Sequence, residues 1–484
     1  MQYENLTLHT DKYEINMMYA HWHHGTAKQR AVFEAYFRKL PFGNGFAVFA
    51  GLRRFVEYVR SIRFDEETIA YLKGQEENYD PTFLDELRRY RFSGDIWSVE
   101  EGTIVFANEP LVRIEGTVFE THLLETALLN FINYQTLIAT KAARIRQVAG
   151  TDPLMEFGTR RAQEADAAVW GARAACIAGF NSTSNLRAGM LFGIPTAGTH
   201  AHAWVQQHDS EEQAFERFAE ALPNQVTLLV DTYDTLASGV PGAIRTAKRM
   251  EERGQRMQAI RLDSGDLAYL SKEARRMLDE AGLPYVKIVA SNDLDENIIM
   301  NLKAQGARID SWGVGTQLIT AADQPSLGGV YKLVEREKDG QREPVIKISA
   351  NPEKVTTPGA KDVYRIVSRT TGLAIADYEA LTGEPEALSG QPLELFDPVR
   401  PYIRRTAANY DAEALLKPIF AGGELVHELP SLEELRAYHA KQLKLFRPEL
   451  LRKLNPESYP VVLSPKTWRL KMDMLEKHKE FGSE

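Results

Sequence analysis

Cysteine is nearly absent: Cys176 is the only one. No intrachain disulfide is possible, and a multi-cysteine zinc site is excluded. Long apolar runs are missing as well, none approaching the roughly eighteen residues that would span a bilayer. The stretch MQYENLTLHTDKYE is polar and acidic where a secretory signal would be basic and then apolar. Positive charge is in deficit, with a formal net charge of −9, which argues against a generic nucleic-acid surface. Small anions are not excluded, because a local arginine cluster can oppose the global sign. The expectation is a soluble cytoplasmic protein without nucleic-acid or membrane partners. What remains is an ordinary globular composition, 44% hydrophobic and 26% charged over 484 residues, enough for two or three domains.

Three segments follow from the patterning. Residues 1–120 mix short aromatic and β-branched runs with helical stretches such as GLRRFVEYVRSI, and read as an α+β domain. In 121–340, THLLETALLNFINYQTLIATKAARIRQVAG repeats apolar residues at three- and four-residue spacing, which predicts a long helix ended by Gly150. Short apolar runs then alternate with helical patterns: PLMEF, QVTLLV, MQAIRL, YVKIVA and RIDSWGV each end in small, polar or charged residues. Such alternation means parallel strands with crossover helices. With several such units and no GxGxxG fingerprint, the expected fold is an irregular parallel α/β barrel, TIM-like, beside the N-terminal domain. Residues 341–484 are charged and proline-punctuated, a C-terminal extension expected to pack on the N-terminal domain.

Chemistry in parallel α/β folds collects at the carboxyl ends of strands. EFGTRRAQEAD puts Arg160 and Arg161 there, a pair tolerated best near a phosphate or carboxylate, although a solvated helix start is the plain alternative. RLDSGDLAYL offers Arg261, Asp263 and Asp266. A capped helix, with Ser264 or Asp263 as cap, accounts for it as readily as a site for a carboxylate, ribose hydroxyls or Mg²⁺. VDTYDT supplies Asp231 and Asp234 with the same ambiguity. Gly313, Gly315 and Thr316 in DSWGVGTQLIT suit a phosphate cradle to which Ser291 and Asn292 could add. AGTHAHAWVQQHD holds His200, His202 and His208; on a strand the first two would share a face, fit for a metal or for mere exposure, and HWHH at 21–24 is the other histidine cluster.

As a set, LHTDKYEINMM, EFGTRRAQ, GFNSTSN, GTHAHAW, VDTYDT, RLDSGDL, SND, GVGT and SLGGVYKLV resemble the nicotinate phosphoribosyltransferase family, in order along the chain from about residue 8 to about residue 370. The resemblance implies transfer of the phosphoribosyl group of phosphoribosyl pyrophosphate to nicotinate, coupled to ATP hydrolysis, by a homodimer with shared active sites. It implies Mg²⁺ as cofactor, with ligands unknown, and ATP as co-substrate. Within it, His202 is the histidine that ATP phosphorylates, followed by Ala203 where many members have serine, and His200 and His208 are bystanders. Arg160 and Arg161 hold the pyrophosphate or phosphoribosyl end, and Asp263 the ribose hydroxyls or the metal. Ser291, Asn292, Gly313, Gly315 and Thr316 cradle the 5′-phosphate. Tyr13 of one subunit and Phe157 of the other sandwich the pyridine ring, while Arg261 and Thr199 recognise the carboxylate. The alternatives are a nicotinamide enzyme, in which an aspartate would replace Ser184, a quinolinate-type enzyme, which would need more basic residues, and a non-catalytic nucleotide- or metal-binding barrel.

Overall fold

The computed structural model describes residues 5–384, 388, 390–398 and 400–480. Parts of the acidic N-terminal stretch and of the charged, proline-punctuated C-terminal extension lie outside these. The chain divides into two compact units, residues 138–325 and a discontinuous unit made of 1–137 and 326–484. The sequence patterning alone predicts three consecutive segments, divided at 120 and 340.

The 138–325 unit is built on six parallel strands: β1 (Leu154–Glu156), β2 (Ser182–Thr183), β3 (Thr227–Leu229), β4 (Ala259–Leu262), β5 (Lys287–Ala290) and β6 (Ser311–Val314). Their order across the sheet is β2-β1-β6-β5-β4-β3, with every adjacent pair parallel. The strands are short and apolar because helices such as Ala165–Ile177, Val240–Glu252 and Leu267–Glu280 cover them. Ile260, Leu262, Ile288, Ala290 and Val314 are fully buried. Strand pairing leaves β2 and β3 as edges. Beyond β2, Thr183 donates its N–H to the Pro195 carbonyl (3.0 Å) and accepts from Ala197 N–H (2.9 Å), a single parallel bridge to Thr196.

The discontinuous unit contains a seven-stranded antiparallel sheet in the spatial order Gln341–Pro344, Gly329–Lys338, Arg30–Phe37, Val112–Thr117, Asp95–Ser98, Lys417–Ala421, Glu424–Leu425. A second sheet joins Tyr410–Ala414, Lys361–Ser368, Ala374–Leu381 and Val461–Leu463. Across two of its strands the fully buried Arg365 grips Asp377 through Nε (2.9 Å) and Nη2 (2.6 Å). The long helix predicted at the start of segment 121–340 runs Glu125–Ala149 and ends at Gly150, whose φ of 69° suits glycine. The HWHH cluster is the last turn of helix Lys12–His23 and its cap: His21 Nδ1 pairs with Thr26 Oγ1 at 2.8 Å and its ring stacks on His122. Among the described residues no group of three His, Cys, Asp or Glu is placed to hold a metal ion, and no helix is long and apolar enough to cross a membrane.

Candidate active site

The carboxyl ends of the six strands carry nearly all of the residues singled out above. Arg261, at the end of β4, is the centre of a network. Its Nε donates to Ser291 Oγ (2.7 Å), Nη1 to Thr199 Oγ1 (2.9 Å) and Nη2 to Asp263 Oδ1 (2.9 Å), so a flexible side chain is held from three directions. Ser291 Oγ in turn donates to Asp263 Oδ1. The guanidinium carbon lies 5.8 Å from the centroid of the Phe157 ring. A cation held beside an aromatic face is arranged to receive a flat, negatively charged group.

Asp231, just beyond β3, accepts through one oxygen from Asp263 N–H (3.0 Å) and Ser264 Oγ (2.6 Å). Its side chain is 1% exposed and its other oxygen, Oδ1, is buried without a hydrogen-bond partner. That oxygen lies 4.0 Å from His202 Nε2, and Asp263 Oδ2 lies 4.0 Å from the same nitrogen. His202 Nδ1 pairs with Thr232 Oγ1 at 3.1 Å, which fixes the ring while leaving the imidazole 40% exposed. An imidazole oriented at one nitrogen, with the other facing two carboxylates and solvent, can act as a nucleophile or a proton carrier.

Phe157 follows β1, and Gly313 on β6 is what makes room for it: a Cβ at 313 would come within 2.6 Å of the Phe157 ring. Glycine here serves packing of an aromatic, which the phosphate-cradle reading did not foresee. Gly313→Ala is expected to displace Phe157 and destabilise the fold by about 1–3 kcal/mol, measured by thermal unfolding. Below Phe157 the carboxyl of Glu156, fully buried, accepts from Gly158 N–H and from Thr183 Oγ1 (2.6 Å), and burial raises its pKa. It ties the turn after β1 to the end of β2, a role that sequence gave no sign of.

Arg160 and Arg161 sit in the 3₁₀ turn Thr159–Arg161, not in a helix start, and among the described residues neither guanidinium has an ion-pair partner. Gly315 backs onto the Phe157 carbonyl, and Thr316 opens the short helix Thr316–Ile319. Asn292 takes a φ of 96° and turns its side chain onto Asp293 N–H (2.9 Å). Tyr13, 47% exposed on helix Lys12–His23, belongs to the other unit.

Two expectations change. Neither Ser264 nor Asp263 caps the helix after β4; Asp266 does, accepting from Tyr269 N–H (3.0 Å), and Asp263 is thereby free for the site. Asp234 likewise caps the following turn through Leu236 and Ala237 N–H, which separates it from Asp231. The second concerns the histidines. His200 and His202 share no strand face: Ala201 is the cap and His202 the first residue of helix His202–Gln206. His200 is 7% exposed, lies edge-on to Phe218 (4.9 Å between centroids), and its Nε2 accepts from Leu229 N–H (3.1 Å), so it is no surface bystander. His208 Nδ1 pairs with the Trp204 carbonyl at 2.7 Å, a local helix-end bond.

Fold and site together define an α/β transferase for small anionic substrates, with strand-end arginines, paired carboxylates and an exposed histidine converging at one end of a parallel sheet. Family models of nicotinate phosphoribosyltransferase match nearly the whole chain: the N-terminal domain over residues 8–133, the central family region over 153–371 and the C-terminal domain over 360–471. The chain is 52% identical to the nicotinate phosphoribosyltransferase of Bacillus subtilis over 98% of its own length and 96% of the relative's. Against the Mycobacterium tuberculosis enzyme identity is 42%, covering 94% of this chain and 91% of the relative. The crystal structure of human nicotinic acid phosphoribosyltransferase superposes with a TM-score of 0.86 at 31% identity, covering 96% of this chain and 99% of the human one. The chain belongs to the nicotinate phosphoribosyltransferase family.

Proposed function

We propose that the protein transfers the phosphoribosyl group of phosphoribosyl pyrophosphate to nicotinate, giving nicotinate mononucleotide and pyrophosphate for NAD salvage, and that ATP drives the reaction through a phosphohistidine at His202. The observation that carries this reading is the placement of His202 Nε2 at 4.0 Å from both Asp231 Oδ1 and Asp263 Oδ2, on the same strand ends as the anchored Arg261. A neutral imidazole attacks the γ-phosphoryl group of ATP through Nε2; the bond to the ADP oxygen breaks, and ADP leaves with the electron pair. Attack of water later breaks the N–P bond, releasing inorganic phosphate and restoring the imidazole. In the transfer step the bond between the ribose anomeric carbon and the pyrophosphate oxygen breaks as the pyridine nitrogen bonds to that carbon. Charge builds on the pyrophosphate while the sugar turns cationic. Catalysis is therefore a matter of positioning and charge stabilisation.

Arg160 and Arg161, unpaired and exposed, hold the pyrophosphate end. Backbone N–H groups around Asn292, Gly315 and Thr316, beside Ser291 and Gly313, cradle the 5′-phosphate. Arg261 and Thr199 receive the nicotinate carboxylate, and Phe157 stacks on the ring from one side. On the other side stands Tyr13 of the partner subunit in a homodimer, a pairing supported by its exposure. For Mg²⁺ the donor set fits: Asp231 Oδ1 is an orphaned buried oxygen and Asp263 Oδ2 faces the same nitrogen. Mg²⁺ takes one or two carboxylates and completes its shell with water and substrate phosphates. Held there by Asp231 and Asp263, it would supply charge neutralisation for the leaving pyrophosphate. An irregular closed barrel is supported by segment 195–200, which pairs with β2 by its backbone and reaches β3 through His200. A cytoplasmic setting fits a chain whose single cysteine, the buried Cys176, leaves no intrachain disulfide possible.

The test is product formation with nicotinate or nicotinamide, each with and without ATP. Nicotinate with ATP is expected to be the preferred pair. Arg261→Ala is expected to raise KM for nicotinate by on the order of 10²-fold, since a carboxylate loses its charged donor, with a far smaller rise for phosphoribosyl pyrophosphate. Equal rises would reassign Arg261 to the phosphates, and equal rates with nicotinamide would overturn the substrate.

A further inference from the structure

The reach of His200 to β3 crosses a gap that no strand fills among the described residues. On its inner side β3 pairs with β4: Leu229 lies opposite Arg261, and Val230 N–H donates to the Arg261 carbonyl at 3.2 Å. Alternation turns the N–H of Leu229 to the outer side, where a further parallel strand would offer a carbonyl. The imidazole takes that carbonyl's place, its Nε2 3.1 Å from Leu229 N in a position that is 1% exposed. Only the neutral ring with a free Nε2 lone pair can accept there. Burial holds the ring in that state, the pKa being pushed down to about 4, with Arg261 and His202 adding in the same direction. Phe215 and Phe218 pack against the ring, and Nδ1 faces the Ala201 carbonyl.

His200 stands between two residues of the site. Thr199 Oγ1 accepts from Arg261 and donates to the His200 carbonyl (3.0 Å), and His202 starts the next helix. The segment that carries both is tied to β2 through the Thr183–Thr196 bridge. We infer that the His200 imidazole is the fastening that holds segment 195–201 against β3, and so is a positioning residue for Thr199 and His202. This rests on the reading of the site given above, and extends it to a residue that touches no substrate. It acts through two arms: Thr199 toward the nicotinate carboxylate, and His202 toward the phosphoryl group.

Three readouts test it on the full-length enzyme: deuterium uptake of the peptide spanning residues 227–231, KM for nicotinate, and labelling of His202 by γ-labelled ATP. His200→Phe keeps the aromatic packing but offers no acceptor. It is expected to speed uptake at Leu229 and to change KM and labelling by about tenfold each, the size expected when a buried N–H loses its partner. His200→Gln, whose amide oxygen reaches about as far as Nε2, is expected to return all three to near wild type. His200→Asn is too short and is expected to stay impaired, and this Gln/Asn pair decides the matter if the Phe variant does not fold. Wild-type uptake and KM in folded His200→Phe, or a Gln variant no better than Asn, would overturn the fastening role. If wild-type enzyme takes no label at His202, the phosphohistidine reading fails, while uptake and KM still decide the role of His200.

Discussion

His202→Ala is expected to abolish covalent labelling by γ-labelled ATP and to leave a slow transfer that no longer responds to ATP. The imidazole is held by Thr232 and presents Nε2 to solvent between two carboxylates, so removing it deletes the acceptor without disturbing a packed core. Stability is expected to change by less than about 1 kcal/mol, as for a part-exposed residue. The ATP-stimulated rate is expected to fall by on the order of 10²–10³-fold, the scale on which removing one preorganised stabilising group acts. Loss should appear mainly in kcat, because neither Arg261 nor Thr199, the proposed nicotinate contacts, hydrogen-bonds this residue. Peptide mapping after labelling gives the answer directly. Label on His200 would contradict the burial and hydrogen bonding of that ring, and label nowhere would reduce His202 to a charge-positioning role.

The site was legible in sequence where its residues follow apolar runs. PLMEF, QVTLLV, MQAIRL, YVKIVA and RIDSWGV all became strands of the parallel sheet, and of the residues at or just past their ends Asp231, Arg261, Asp263 and Ser291 form the hydrogen-bonded network. β2 escaped notice because two residues leave no periodicity to read. Spacing offered Ser264 or Asp263 as the cap; the turn through Gly265, with φ of 77°, gives the helix to Asp266 instead and lets Asp263 face Arg261. Asp231 and Asp234 were separated in the same way. The functions of Glu156 and His200 were invisible for another reason. Each bonds a backbone or hydroxyl group brought near only by tertiary structure, 27 and 29 residues away in the chain. The discontinuous unit shows the same limit at larger scale, since strand Arg30–Phe37 pairs with Gly329–Lys338 and no local pattern announces that register.

Asp231→Asn should separate the two halves of the reaction. The carboxylate uses one oxygen to hold Asp263 N–H and Ser264 Oγ, bonds that a carboxamide oxygen can keep. Its other oxygen, buried and without a partner, faces His202 Nε2 at 4.0 Å. In the variant that place is taken by an NH₂ group, which donates toward the nitrogen lone pair needed for attack and removes a negative charge from any bound cation. Labelling of His202 and ATP-stimulated kcat are expected to drop by on the order of 10²-fold, with a higher requirement for Mg²⁺. Arg261 and Thr199 keep their own bonds, so KM for nicotinate should stay within about twofold, as for a change that leaves its contacts intact. Asp231→Ala would also free Asp263 N–H and Ser264, and is expected to raise that KM as well by loosening Asp263 beneath Arg261. A carboxamide variant with normal labelling would assign Asp231 to holding the turn after β4, and would leave Asp263 as the one carboxylate acting on His202.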